Sequence, residues 1–238
     1  MKYKLVQIVV EYPSLQIEQE AFLQFSHLFA HLEGTTLFYS GGCYSNSQTS
    51  FLALFPSKKI SIPVESTKNP WQSLAPQIHF DSPQIEHEFP EWVGYLSYEM
   101  GAFSDESKNI SFYPPSIPLA LFFKPTLIFA LSHETKRLKL FITKEYKGES
   151  FDEARLVSLL EKSKNFSSKK FPTLRRVKEE EKETFLNRIR LAKHHILQGD
   201  IYQANLSHQT LFQGEMCPFS FYKKVLLKNP APFSAFLQ

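Results

Sequence analysis

The chain has 238 residues, 42% apolar and 21% charged, with a formal net charge of +3, which is room for one large domain or two small ones around a sizeable core. That balance excludes disorder throughout, and 23 Phe against 8 Gly and 3 Met excludes collagen-like or glycine-linker architectures and predicts an aromatic interior. The charge is too weak to name nucleic acid or a membrane surface as a partner, no apolar run approaches the ~18 to 20 residues that span a bilayer, and the two cysteines, Cys43 and Cys217, lie far apart behind no leader-like segment. The expectation is a cytoplasmic chain with reduced thiols.

The β-branched run at 5–10 predicts a buried strand, broken by Tyr12-Pro13-Ser14. Phe22, Phe25, Leu28, Phe29 and Leu32 recur at helical spacing and predict a helix over 19–32, with Gly34 just beyond it. Strands follow at 35–40 and 51–55 around a loop that opens with Gly41-Gly42. Residues 63–91 carry Pro63, Pro70, Pro76, Pro83 and Pro90, which predicts an irregular excursion with one short helix at 71–74. A strand at 92–98 contains Gly94, a residue suited to close backbone approach. Residues 126–131 and 137–143 read as a hairpin around 133–136, and 150–162 as a helix.

Next comes a composition change. Lys162, Lys164, Lys169, Lys170, Arg175, Arg176 and Lys178 occur with no acidic residue among them, which reads as a solvated linker because uncompensated charge is costly to desolvate. Beyond it, Phe185, Ile189, Ala192 and Ile196 stripe a helix over 177–198 that Gly199 is placed to cap. A strand over 202–212, a helix over 218–227 and a strand at 232–237 complete the chain. The expected class is α+β, antiparallel sheets with flanking helices. The expected units are 1–163, a basic linker at 164–174, and 175–238 as the incomplete start of a second domain.

Several chemical motifs fail on spacing. His27 and His31 lie four apart, but Leu28 and Phe29 surround them and no further ligand completes a zinc set. His87-Glu88 is followed by Pro90 and Glu91, which denies the helix and second histidine of a zinc protease. His194 and His195 are adjacent on a helix and face different directions. Gly41-Gly42-Cys43-Tyr44-Ser45 lacks the last glycine of a glutaminase nucleophile turn, and no phosphate-cradling glycine pattern occurs.

A longer constellation is more specific. It joins Gly199-Asp200-Ile201-Tyr202-Gln203-Ala204-Asn205-Leu206-Ser207 to Asn229-Pro230-Ala231-Pro232-Phe233-Ser234-Ala235-Phe236-Leu237. Upstream stand Tyr39-Ser40-Gly41, the strand near 51–56, and Val93-Gly94-Tyr95-Leu96-Ser97-Tyr98-Glu99. In this order they resemble the chorismate-utilising enzymes, among them component I of anthranilate synthase and of aminodeoxychorismate synthase. Ser40-Gly41 and the Ala-Pro-Phe-Ser-Ala-Phe-Leu run are closer to the aminodeoxychorismate branch.

The resemblance implies the N-terminal half of an enzyme that makes 4-amino-4-deoxychorismate from chorismate and ammonia, for p-aminobenzoate and folate. It implies a separate glutamine amidotransferase partner, magnesium in the complete enzyme, and catalytic and metal-binding residues beyond residue 238, so that this chain alone is expected to be inactive without a C-terminal catalytic half. It also implies a tryptophan site at Ser40, Asn46, Ser47, Gln48, Thr49, Pro232, Phe233 and Ser234. Anthranilate synthase component I is the alternative, and a non-catalytic module that binds an amino acid or docks a partner is a third reading.

Overall fold

The computed structural model describes residues 6–41, 48–65, 69–79, 89–104, 116–166 and 174–238. In chain order the elements are β1 (Val6–Gln16), α1 (Gln19–His27), β2 (Thr36–Tyr39), β3 (Thr49–Ile62), α2 (Pro70–Leu74), β4 (Val93–Leu96), a 3-10 turn (Tyr98–Phe103), β5 (Ala120–Ser132) and β6 (Arg137–Thr143). They continue with α3 (Glu153–Lys164), β7 (Arg175–Glu179), α4 (Lys182–Gln198), β8 (Thr210–Gln213), α5 (Pro218–Lys228) and β9 (Ser234–Leu237). The expected α+β class is what forms.

Seven strands make one antiparallel sheet in the order β1-β6-β5-β3-β2-β9, with β4 pairing the free half of β5. The sequence dictates the centre: Leu127, Ile128, Phe129, Ala130 and Leu131 are all buried, so β5 is covered on both faces. Period two then sorts the side chains. Leu37, Leu52, Leu54, Leu127, Phe129, Leu138 and Leu140 face α1, α3 and α5, while Ala53, Ile128, Ala130 and Phe141 face the other way.

The helix-covered core is aromatic, as the composition predicts. Phe25 is fully buried and meets Phe29 at 5.2 Å and, edge-on, Phe129 at 5.1 Å. Tyr12 donates to the Phe151 carbonyl at 3.0 Å, and burial pushes its phenol up to about 12. One polar relay ties the three helices: Gln24 Nε2 donates to the Ser163 and Phe166 carbonyls at 3.0 and 2.9 Å, at the end of α3, and its Oε1 accepts from Lys223 of α5. The Ser163 carbonyl also accepts from the Phe166 N–H at 3.1 Å, and Phe166 lies just beyond α3. His27 lies beside the relay, stacked on Phe219 at 4.8 Å with Phe166 edge-on at 4.9 Å.

Gly94 is required by a close approach: a Cβ there would stand 2.0 Å from the Leu121 carbonyl across the β4–β5 pair. One proline signal misled. Tyr12, Pro13 and Ser14 do not end β1, because the register shift between Glu11 and Gln16 absorbs them. The strand expected at 51–55 is longer, since β3 runs on through Pro56 by a shift between Pro56 and Lys58, with Phe55 at φ 52° and its carbonyl held by Thr126 Oγ1 at 2.6 Å. At α1 the helix stops at His27 and turns carry the remaining apolar residues to 32.

Two compact units emerge, one of residues 1–167 with 219–238 and one of residues 168–218. The units expected from composition differ from these in two ways. Residues 175–238 do not form one unit, since β9 pairs with β2 in the large sheet. The expected linker also overlaps regular structure: α3 reaches Lys164, and 175–179 form a strand paired with β8 rather than the first turn of a helix. In the smaller unit Arg188 bonds Glu180 and the Ser207 carbonyl, Phe185 packs against His208 at 5.5 Å, and α4 ends at Gly199. The expected strand at 202–212 shortens to β8.

Candidate functional site

The residues expected to hold an amino acid come from segments far apart in sequence, and the β2–β9 pair joins them. Tyr39 is registered against Ser234, and the Gly41 N–H donates to the Ala231 carbonyl at 2.8 Å. Gly41 suits this close step: a Cβ would meet the Ala231 oxygen at 3.1 Å and its nitrogen at 3.3 Å, which the backbone would have to yield by a few tenths of an ångström to admit. Ser40 is thereby set beside the Pro232 to Ser234 segment. Asn46 and Ser47 lie outside the described residues, as do Cys43, Asp105 and Glu106.

Ser40 is buried, and its donors are already engaged. Its N–H donates to Ser50 Oγ at 3.0 Å and its hydroxyl donates to the Thr49 carbonyl at 3.2 Å. What Ser40 can still offer a ligand is acceptor capacity, which suits an ammonium and not a carboxylate. Thr49 is half-buried, whereas Gln48 is exposed and gives its carbonyl to the His133 N–H at 2.7 Å. Phe233 is 76% exposed, and Ser234 is half-buried beside it.

Behind Ser40 stands a polar group that sequence reasoning missed. Ser50 Oγ lies 2.9 Å from His133 Nε2, while the buried Nδ1 of His133 meets no hydrogen-bond partner among the described residues. Burial holds the His133 imidazole below the usual histidine range. Tyr39 packs at 6.5 Å from His133, and burial raises its phenol, as does Glu20. Tyr222, from α5, has its phenol raised by burial and then by Tyr39, and its hydroxyl likewise finds no partner among the described residues. One end of the apolar core therefore holds neutral polar groups with spare hydrogen-bonding capacity. His133 falls in a turn by sequence, and only the β3–β5 register, which sets Thr49 opposite Ser132, brings it to Ser50.

The described residues do not fit a magnesium ion, because no three His, Cys, Asp or Glu side chains among them converge. Asp200 is bonded to His195 Nδ1 at 2.8 Å and Glu99 lies in the 3-10 turn. No helix among the described residues is long and apolar enough to cross a membrane.

Comparison with known proteins agrees with this architecture. A solved structure of anthranilate synthase component I from Streptococcus pneumoniae TIGR4 superposes with a TM-score of 0.55 at 21% identity, over 79% of this chain and 47% of that one. An anthranilate synthase component I-like protein of Synechocystis is 24% identical over 147 residues, 61% of this chain and 30% of its own length. The chain thus spans less than half the length of these relatives. Residues 36–238 match the family described as chorismate binding enzyme, a match that runs from β2 to β9 and takes in both compact units, and the chain belongs to that family.

Proposed function

We propose that this chain is part of a component I enzyme of the aminodeoxychorismate branch, which converts chorismate and ammonia to 4-amino-4-deoxychorismate with ammonia from a glutamine amidotransferase. The observation that carries the reading is the β2–β9 pair, which sets Ser40-Gly41 against Ala231 to Ser234. Those are the two segments whose sequence resembles that branch. No residue described here is assigned a catalytic role, and no step is routed through magnesium.

The same juxtaposition supports a tryptophan site in which Ser40 Oγ accepts from the ammonium. Isothermal titration with tryptophan tests it: saturable heat that Ser40→Ala removes is expected, and no heat would overturn it. Branch assignment is tested by product. The chain, supplemented with the C-terminal segment of a family member, is given chorismate, magnesium and ammonium, and 4-amino-4-deoxychorismate should accumulate. Fluorescent anthranilate in its place would move the protein to the alternative branch, and turnover by the chain without supplement would show that the active site is misplaced.

A further inference from the structure

Two hydrogen bonds in series lead from Ser40 back to an imidazole. The Ser40 N–H donates to Ser50 Oγ at 3.0 Å, and Ser50 Oγ lies 2.9 Å from His133 Nε2. Ser50 is fully buried, so water does not interrupt this path. His133 follows the last residue of β5, and its own N–H is fixed on the Gln48 carbonyl at 2.7 Å. Backbone and ring are thus both held.

Protonation changes what this arrangement offers. A neutral imidazole has one donor and one acceptor nitrogen, whereas an imidazolium has two donors and a positive charge. The second proton would be poorly placed, because Nδ1 is buried and meets no acceptor among the described residues. Tyr39 faces the ring from β2 at 6.5 Å, and burial together with Glu20 of α1 keeps its phenol protonated. Tyr222 of α5 is held neutral by burial and then by Tyr39. Glu134 and Lys136 of the turn and Arg137 of β6 are exposed, and Lys136 is paired with Glu18. Burial is what holds His133 below the usual histidine range.

We infer that His133 is a positioning residue of the tryptophan site proposed above, neutral when the ligand is bound, and that its protonation opposes the ligand's ammonium at Ser40. The inference rests on that site and adds its regulation, since proton and ligand exclude one another. Ser40 Oγ spends its own proton on the Thr49 carbonyl, so the ligand end it accepts from is the ammonium. His133 stands behind that end, and the ligand's carboxylate lies farther off. With the two ends roughly 7 and 10 Å from the ring, in an effective dielectric of ~20, a protonated His133 weakens tryptophan about threefold. By linkage, tryptophan expels the proton.

The test is calorimetric titration of the 238-residue chain with tryptophan from about pH 7 to about pH 5, below the amino and above the carboxyl range of the ligand. Circular dichroism checks that the fold persists. Affinity should fall about threefold towards the acid end, and buffers of different ionisation enthalpy should report protons released on binding there. His133→Gln keeps a hydrogen-bonding amide that cannot be charged; it should bind as the parent does at about pH 7 and lose the slope. The two failures are distinct. No heat at any pH overturns the tryptophan site and the role of His133 with it. Saturable binding that is flat with pH, or a slope that survives in His133→Gln, leaves the site standing and overturns the role of His133. Affinity that rises on acidification would place the carboxylate at Ser40 and overturn it as well. Proton release is read on the unsubstituted chain, so misfolding of His133→Gln would not shelter the inference.

Discussion

The two faces of the large sheet are built from the same strands and solve different problems. On one, α1, α3 and α5 seal Phe22, Phe25, Phe129 and Phe219 from solvent. On the other, Ala53, Ile128 and Phe141 are buried as well, while Phe38 and Phe51 stay half-buried beside a cavity edged by charge, which makes it the more open face. Alternation along each strand produces both at once, since every second residue is committed to one face. The helix-covered face holds the larger aromatic core, and the more open face leaves two aromatic rings and a charged edge partly exposed.

Truncations on the two faces should show this contrast most strongly. Phe25→Ala removes a fully buried ring that touches two others, and about 3–5 kcal/mol of stability should go with it. Phe38→Ala, at a half-buried position, should cost about 1 kcal/mol, since only part of its area leaves water. Urea unfolding of both variants checks the ratio; equal losses would mean that the open face is covered as tightly as the other.

A second break goes through the relay between helices. Gln24→Leu deprives the Ser163 and Phe166 carbonyls of a donor and Lys223 of an acceptor while keeping the side-chain bulk. A loss of about 0.5–1.5 kcal/mol is expected, the net worth of such bonds, since the Ser163 carbonyl keeps the Phe166 N–H and Phe166 is exposed to water. Hydrogen exchange should quicken in α3 and α5 before it does in β5. A variant as stable as the parent would show that the relay contributes nothing beyond packing.

Acid should act on the sealed side as well. Burial holds His27 below the ordinary value of 6.5, with a further push from Lys223, and burial holds His133 below it too. A histidine with a depressed folded value binds fewer protons folded than unfolded. Stability is therefore complete above about pH 6.5 and lost as pH falls from there towards the folded values. Unfolding midpoints at pH 7.5 and pH 5 should differ in that direction, and His27→Gln should flatten the slope. A midpoint that rises on acidification would contradict the neutral, buried state of both rings.

Much of the sealed face was legible in the sequence, because apolar runs such as 126–131 and the helical spacing of Phe22, Phe25 and Phe29 carry their own burial signal. What sequence hid was held by partners. The strand read at 51–55 stops short of Lys58 and Lys59, yet pairing with Lys124 and Phe123 of β5 keeps them in β3. Arg175 to Glu179 show no apolar period and are all exposed, so backbone pairing with β8 alone makes them a strand. The site divides the same way. Ser40, Thr49 and Ser234 were found from motifs, whereas His133, Ser50 and Tyr222 join them only through register and helix docking, which no local pattern encodes.

The smallest change in stability falls on the face turned away from the helices. Glu11 and Lys139 are cross-strand partners 3.3 Å apart with side chains 61% and 38% exposed. Water and salt screen such a pair, so Glu11→Gln should alter stability by no more than about 0.5 kcal/mol. Urea unfolding should place its midpoint close to the parent's; a loss as large as that of Phe38→Ala would mean that the pair is shielded from solvent and that this face is covered as tightly as the other.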